Sequence, residues 1–230
     1  MFSRSESLLG AERMARIASA KVAVVGIGGV GGWCAEALAR TGVGALALID
    51  GDTVQPSNIN RQAAANSRTL GMKKVEAMKA RLEEINPACK IEARFERIED
   101  YRGPWDFDAI VDAIDSMDAK AALLLEAADR GIPAASSMGA ALRTDPGRVA
   151  LRRFDKITGD AVAKALRRRF KALGRQPARK FFCAVSDEPP ARIEERGSIM
   201  PVTATFGMVL AAHVLDIIGG GKDTGGEDEP

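Results

Sequence analysis

The first residues able to do chemistry are the glycines of Gly26-Ile27-Gly28-Gly29-Val30-Gly31, a G-x-G-x-x-G. Glycine serves three needs there. The chain must turn sharply out of a strand, the backbone must come close to a phosphate, and the next helix must pack tightly on the sheet. A helix starting at such a loop offers free N–H groups and the positive end of its dipole to an anion. Asp50 stands roughly 20 residues downstream, where a carboxylate for ribose hydroxyls is expected. These residues define a nucleotide site without separating NAD from ATP. Two further stretches, DGDTVQPSNINRQ from Asp50 and GMKKVE from Gly71, add Asn58, Arg61 and Lys74. Arginine offers a bidentate fork and lysine a point charge, counter-charge that a triphosphate needs more than a dinucleotide does. Spacing alone also leaves Arg61 and Lys74 a plainer role as solvated surface cations. Asp112 and Asp115 lie at the end of the run FDAIVDAI. A carboxylate there can hold Mg²⁺ while the metal bridges phosphates. Asp115 is assigned that role, and Asp118 is expected to cap the following helix.

The elements that must position these groups alternate between strand and helix. Residues 1–20 carry Leu8, Leu9, Met14 and Ile17 at helical spacing and predict a short amphipathic helix. Strands are expected at 21–26, 45–50, 90–95, 107–114 and 134–136. Helices are expected from about residue 29 to Thr41-Gly42, over 73–85 ahead of Asn86-Pro87, and over 120–130 ending at Gly131. This alternation predicts an α/β, Rossmann-like, doubly wound and mostly parallel sheet. Beyond residue 137 the pattern changes to strands at 147–154 and 180–185 flanking a helix over 160–173, then an apolar stretch over 198–218. A C-terminal extension thus adds strands and helices, and the Gly-rich, charged residues 219–230 are expected to be a disordered tail.

Composition excludes several classes. The 230 residues are 46% hydrophobic and 28% charged, which is ordinary globular usage. A net charge of +2 supports no global claim about nucleic acid, and 5% aromatics argue against a base-stacking platform. The cysteines are Cys34, Cys89 and Cys183, odd in number and without C-x-x-C, so neither a disulfide framework nor a zinc site of ordinary spacing is expected. Cys34 and Cys183 are expected to be packed. The N-terminus lacks a secretory apolar core, which makes cytoplasmic the default location.

Three stretches carry a specific resemblance: VGIGGVGGWCAEALARTGVGALALIDGDTVQPSNINRQ, GMKKVEAMKARLEEINP and VDAIDSMDAKAALL. They resemble the ThiF/MoeB/HesA family of adenylating enzymes related to ubiquitin activation. FSRSESLLG, SSMGAALRTDPGRVALRRFDKITGDAVAKALRRRFK and GSIMPVTATFGMVLAAHVL are similar to its tRNA threonylcarbamoyladenosine dehydratase branch, extending the likeness to about residue 218. The resemblance implies a phosphate loop of Gly26, Gly28, Gly29 and Gly31, an ATP ribose on Asp50, and phosphates on Asn58, Arg61 and Lys74. It implies Mg²⁺ supported by Asp115. Arg4 matches an N-terminal arginine that reaches the partner subunit's ATP, so a homodimer is implied, with Arg4, Arg61, Lys74 and Asp115 as the catalytic set. Residues 1–137 would form the ATP-binding adenylation core and 138–218 a substrate-side and dimer-forming extension of the same domain. The implied chemistry is attack of a carboxylate on the α-phosphorus of ATP, then cyclisation of threonylcarbamoyladenosine in tRNA with loss of water. A sulfur-transfer protein is a further candidate partner. Ala140 and Ala141 depart from the branch, which has more glycine there.

Between Lys164 and Lys180 lie eight Lys/Arg and no acid. With the tRNA that the resemblance implies, Arg167, Arg168, Arg169 and Lys171 become candidate tRNA contacts. The 20 residues of 199–218 are apolar enough to raise a membrane span, but Pro201, Thr203, Thr205, His213 and Asp216 favour a core or dimer helix. The alternatives are adenylation of a ubiquitin-like sulfur carrier, which the missing zinc cysteine pairs disfavour, and an NAD-dependent oxidoreductase or a non-catalytic nucleotide-binding module.

Overall fold

Strand formation starts from KVAVV, whose side chains alternate between the two faces of a sheet. In the computed structural model, which describes residues 1–192 and 197–221, Val22 and Val24 enter one core while Ala23 and Val25 enter another. Two helices precede this strand rather than one: α1 (Ser3–Leu9) and α2 (Ala11–Ser19) break at Gly10, whose φ is +82°. Then follow β1 (Lys21–Val25), α3 (Gly31–Thr41), β2 (Ala45–Ile49), α4 (Lys74–Ile85), β3 (Lys90–Arg94), β4 (Ala109–Asp112), α5 (Met117–Asp129) and β5 (Ala134–Ser137). The extension supplies β6 (Val149–Arg153), α6 (Ala161–Ala172), β7 (Phe182–Ser186) and α7 (Met200–Ile218).

The strands form one seven-stranded sheet in the order β3-β2-β1-β4-β5-β7-β6. All neighbours are parallel except β6, which runs antiparallel to β7. The extension therefore continues the sheet. Strand order reverses direction between β1 and β4, and ligands of open α/β sheets bind at that crevice, beyond the carboxyl ends of the strands. α2, α3, α4 and α7 share one core with the sheet, and α5 shares the opposite one with Ala23, Val25, Ala47 and Ile49. α6 packs with α5 and β7 around Leu166, Phe170 and Cys183.

α7 (Met200–Ile218) is the apolar stretch that raised a membrane span. It is the one described helix long and apolar enough to cross a bilayer. Yet Val202, Phe206, Leu210 and Val214 are buried in the core that α3 shares, and truncating Phe206 to Ala would cost about 3–5 kcal/mol. Gly207 lets α7 approach closely: a Cβ there would sit 2.6 Å from the Val30 carbonyl oxygen and 2.9 Å from the Cys34 nitrogen. The apolar composition of α7 thus serves contact with the helix that carries the phosphate loop. His213 lies against Phe182, ring centroids 4.8 Å apart. The expectation for a disordered tail falls mostly on residues 222–230, outside the described residues.

Candidate active site

The glycine loop takes its shape from steric limits at two positions. Gly26 has φ +89°, and a Cβ there would lie 2.6 Å from the Ala113 carbonyl oxygen; at Gly31 a Cβ would lie 1.9 Å from the oxygen of Gly26. Only glycine fits either place. Gly28 differs, with only the tip of Gln62 within 4 Å, at 3.9 Å. Its missing side chain leaves room open to the cavity, which a phosphate approaching the backbone needs. The helix begins at Gly31, slightly later than the sequence pattern indicates, and stops at Gly42 with φ +99°.

Asp50 follows the last residue of β2 and braces this loop. Its Oδ2 accepts the Ile27 N–H at 2.6 Å and its Oδ1 accepts the Asp52 N–H at 2.8 Å. Burial holds its carboxyl above the ordinary aspartate value, against the pull of the Lys74 ammonium and of the two N–H donors. Lys74 opens α4 and is buried, with Nζ 2.8 Å from Oδ2 of the exposed Asp52. Such half-exposed pairs are weak, so the ammonium can change partner when a stronger anion arrives. Asn58 ends a short 3₁₀ turn, Pro56–Asn58, and its Oδ1 accepts the Gln55 N–H at 3.0 Å. Arg61 donates from Nη1 to the Ser57 carbonyl at 2.8 Å and to Asn60 Oδ1 at 2.9 Å, while its own carbonyl accepts the indole N–H of Trp33 at 2.9 Å. The loop from 51 to 62 is thereby fastened to α3.

These residues line one cavity of about 660 Å³. Gly26, Gly28, Gly29, Asp50, Asn58, Arg61, Lys74 and Asp115 all border it. Reasoning from sequence missed Asp52, Gln62, Ser198 and Thr203, which border it too. The first two lie inside a stretch already singled out. Thr203 was visible only as a polar residue in an apolar run, and its side chain reaches within 3.3 Å of where a Gly29 Cβ would stand. A neighbouring cavity of about 580 Å³, lined by Trp105 and Arg130 among others, adjoins through Ile98, Glu99 and Ala119.

The structure sorts the remaining candidates, correcting the expected α5 cap and dividing the basic run. Asp112 is fully buried and paired with Lys120 at 2.7 Å, so it has no place at a metal; Asp115 is exposed on the cavity wall. The cap of α5 is Ser116, whose Oγ accepts the Ala119 N–H at 3.4 Å, and Asp118 instead pairs with Arg169 of α6 at 2.7 Å. Within the basic run, Arg167 turns inward: Nη2 donates to the carbonyls of Phe154 and Ile157 at 2.8 and 2.6 Å, and the guanidinium lies over the Phe154 ring. Arg168 and Lys171 are exposed, and Lys164 shares their face at helical spacing. Cys183 is buried and its thiol is pushed well above the ordinary value by burial, as is that of Cys34, so both pack. Arg4 does not border the cavity. It sits on α1 beside Phe2, which lies against Gly42 at the far end of α3, about 16 Å of helix from the glycine loop.

A mostly parallel sheet with a glycine loop at its switch point, and with a carboxylate and two cations facing one cavity, marks a doubly wound α/β protein of the nucleotide-binding kind. The ThiF family model matches residues 2–228, and the chain belongs to that family. It is 41% identical to the tRNA threonylcarbamoyladenosine dehydratase of Bacillus subtilis, over 93% of this chain and 92% of that protein. The protein of the same name from Escherichia coli is 34% identical over 93% and 91% of the two chains. Among solved structures, the E. coli dehydratase TcdA in complex with ATP superposes with a TM-score of 0.86 at 34% identity, covering 94% of this chain and 93% of that one. Its AMP complex gives 0.87 at 35%, with the same coverage.

Proposed function

We propose that the chain is an ATP-dependent tRNA-modifying enzyme that removes water from threonylcarbamoyladenosine by way of an acyl-adenylate. The observation that carries this is 41% identity to a dehydratase over nearly the full length of both chains. The cavity supports it, because Arg61 and Lys74 add counter-charge beyond what a dinucleotide needs. Solved relatives hold ATP and AMP, the substrate of adenylation and the group released by the cyclisation that follows it. The sulfur-carrier alternative lacks this near-complete correspondence and lacks the paired cysteines.

In this reading the N–H groups of the loop and the first turn of α3 hold phosphate oxygens, and Asp50 accepts ribose hydroxyls. Lys74 leaves Asp52 for a phosphate, and Arg61 presents its remaining N–H groups beside it. The threonyl carboxylate attacks the α-phosphorus and pyrophosphate departs. A nitrogen or oxygen of the carbamoyl unit then attacks the activated carbonyl, a proton leaves a carbamoyl N–H, and AMP departs with the carboxylate oxygen. Positioning and charge stabilisation supply the rate, and no protein nucleophile is needed. The donor set suits Mg²⁺, which takes one or two carboxylates together with phosphate oxygens and water; Asp115 would hold it, and the ion would neutralise phosphate charge.

The remaining assignments follow from placement. Arg4, on α1 by the far end of α3, does not border its own cavity, so its role at a phosphate calls for a second copy of the chain, and residues 138–218 are the proposed dimer-forming part. Arg168 and Lys171 are the proposed tRNA contacts, with Arg167 and Arg169 in structural roles. A sulfur-transfer partner would have to act without Cys34 or Cys183, both of which are buried. Cytoplasmic location is consistent with a tRNA substrate. The deciding experiment incubates the protein with ATP, Mg²⁺ and tRNA bearing threonylcarbamoyladenosine, then weighs the nucleosides. Loss of one water is expected; an unchanged mass under conditions where ATP binds overturns the proposal.

A further inference from the structure

Lys120 has almost no access to solvent, at 1% exposure, and Asp112 has none. They face each other at 2.7 Å beneath the carboxyl ends of β4 and β5. The same ammonium donates to the Ser137 carbonyl at 3.1 Å and meets Ser136 Oγ at 3.4 Å. The Ser136 hydroxyl donates to Asp112 Oδ2 at 2.6 Å, and Asp112 Oδ1 accepts the Ile114 N–H at 3.1 Å. Apolar residues of similar volume generally hold such a position at least as well as a buried ion pair, so the pair is weak evidence for stability as its purpose. Its reach is more informative. Asp112 holds the Ile114 N–H, between Ala113, which abuts Gly26, and Asp115, which borders the cavity. Ser137 leads through Met138 to Ala141, which borders the same cavity. Lys120 is bonded to the strand ends behind both walls.

We propose that Lys120 is a positioning residue that sets the spacing between the phosphate-side wall, residues 113–115, and the substrate-side lip, residues 138–141. The inference rests on reading the cavity as an adenylating site. Through that spacing Lys120 governs how the incoming carboxylate meets the α-phosphorus, while ATP itself stays on the glycine loop, Arg61 and Lys74. A loss should therefore fall on kcat more than on ATP affinity, since small misplacements of reacting groups cost rate steeply.

The test uses the full chain. K120M alone strands a buried carboxylate and is prone to unfold. The double variant D112N/K120M removes both charges and keeps an acceptor for the Ile114 N–H, and S136A removes only a hydroxyl. Thermal midpoint, ATP dissociation constant and kcat for dehydration are measured on each beside the wild type. For the double variant a fall in kcat of tenfold or more is expected with the ATP dissociation constant within threefold. For S136A a smaller fall of about threefold is expected with the same split. A folded variant of either kind with unchanged kcat overturns the positioning role, as does a loss confined to thermal stability or to ATP affinity. A wild type that binds ATP yet dehydrates nothing overturns the functional reading instead.

Discussion

At the scale of single residues, glycines with the same motif position have different reasons to be glycine. Gly26 is forced by backbone geometry and by the Ala113 carbonyl, whereas Gly28 faces open space. Gly26→Ala is expected to lower the thermal midpoint, because a left-handed φ alone costs an ordinary residue about 1–2 kcal/mol and the contact adds more. Gly28→Ala should keep the wild-type midpoint and weaken ATP binding, since its Cβ occupies space that a phosphate needs. Calorimetry and ATP titration of the two variants check this, and equal loss of stability in both would contradict it. Asp50 adds a pH dependence. Its carboxyl titrates above the ordinary aspartate value because it is buried. Between the two values the folded chain holds more proton than the unfolded one. The group's contribution to stability is therefore present in acid and is lost as pH rises through that window. ATP binding is expected to run the other way if, as proposed, ribose hydroxyls donate to the ionised Asp50 carboxylate. Affinity for ATP should fall as pH drops through the raised value, and Asp50→Asn should bind weakly with that step gone. An identical pH profile in both proteins would refute the assignment.

At the scale of elements, α6 shows how a charge run divides once it is folded. A helix wound at 3.6 residues per turn cannot present consecutive arginines to one surface. Arg167 therefore falls on the face toward Phe154, Arg169 reaches Asp118, and Arg168 points away. Arg167→Ala is expected to destabilise the chain by about 1–3 kcal/mol, because two buried-side carbonyls lose a charged donor. Arg168→Ala should leave the midpoint unchanged and reduce the salt dependence of tRNA binding by about one phosphate's worth. Melting curves together with tRNA titrations over a salt series separate the two. An unaltered salt slope in Arg168→Ala would remove α6 from the tRNA surface. α7 makes a related point: its hydropathy fits a bilayer by length and composition, and one face of it is buried against α3 and the sheet.

At the scale of the whole molecule, the proposed role of Arg4 needs two chains to make one site. Arg4 sits beyond the far end of α3 from the phosphates that it is proposed to touch. Arg4→Ala and Lys74→Ala should each be nearly inactive alone. Mixed after reversible dissociation, they should recover about one quarter of wild-type activity, since half the dimers are mixed and each has one complete site. Dehydration assays on the mixture check this; no recovery would place Arg4 outside the partner's site or exclude a dimer. The extension behaves as part of the same body, because β7 pairs with β5 and α7 buries its apolar face against α3.

Much of the fold was legible because its signals are local. Alternating apolar residues, the glycine loop and the Gly42 stop are fixed by the steric preferences of short stretches, and they specify a doubly wound sheet with a nucleotide at its switch point. The polar ring of Asp50, Asn58, Arg61, Lys74 and Asp115 was legible as residue types at suitable positions. Its alternatives were not, because pairing across the chain depends on which strand ends become neighbours. Tertiary structure alone withdrew Asp112 into a buried pair with Lys120, gave the α5 cap to Ser116 and turned Arg167 inward. It also brought Ser198 and Thr203, about 140 residues along the chain from Asn60, to the same cavity through the Asn60–Ser198 hydrogen bond and the packing of α7 on α3. Local sequence sets which groups are available, and burial and long-range contact decide which of them are left free to act.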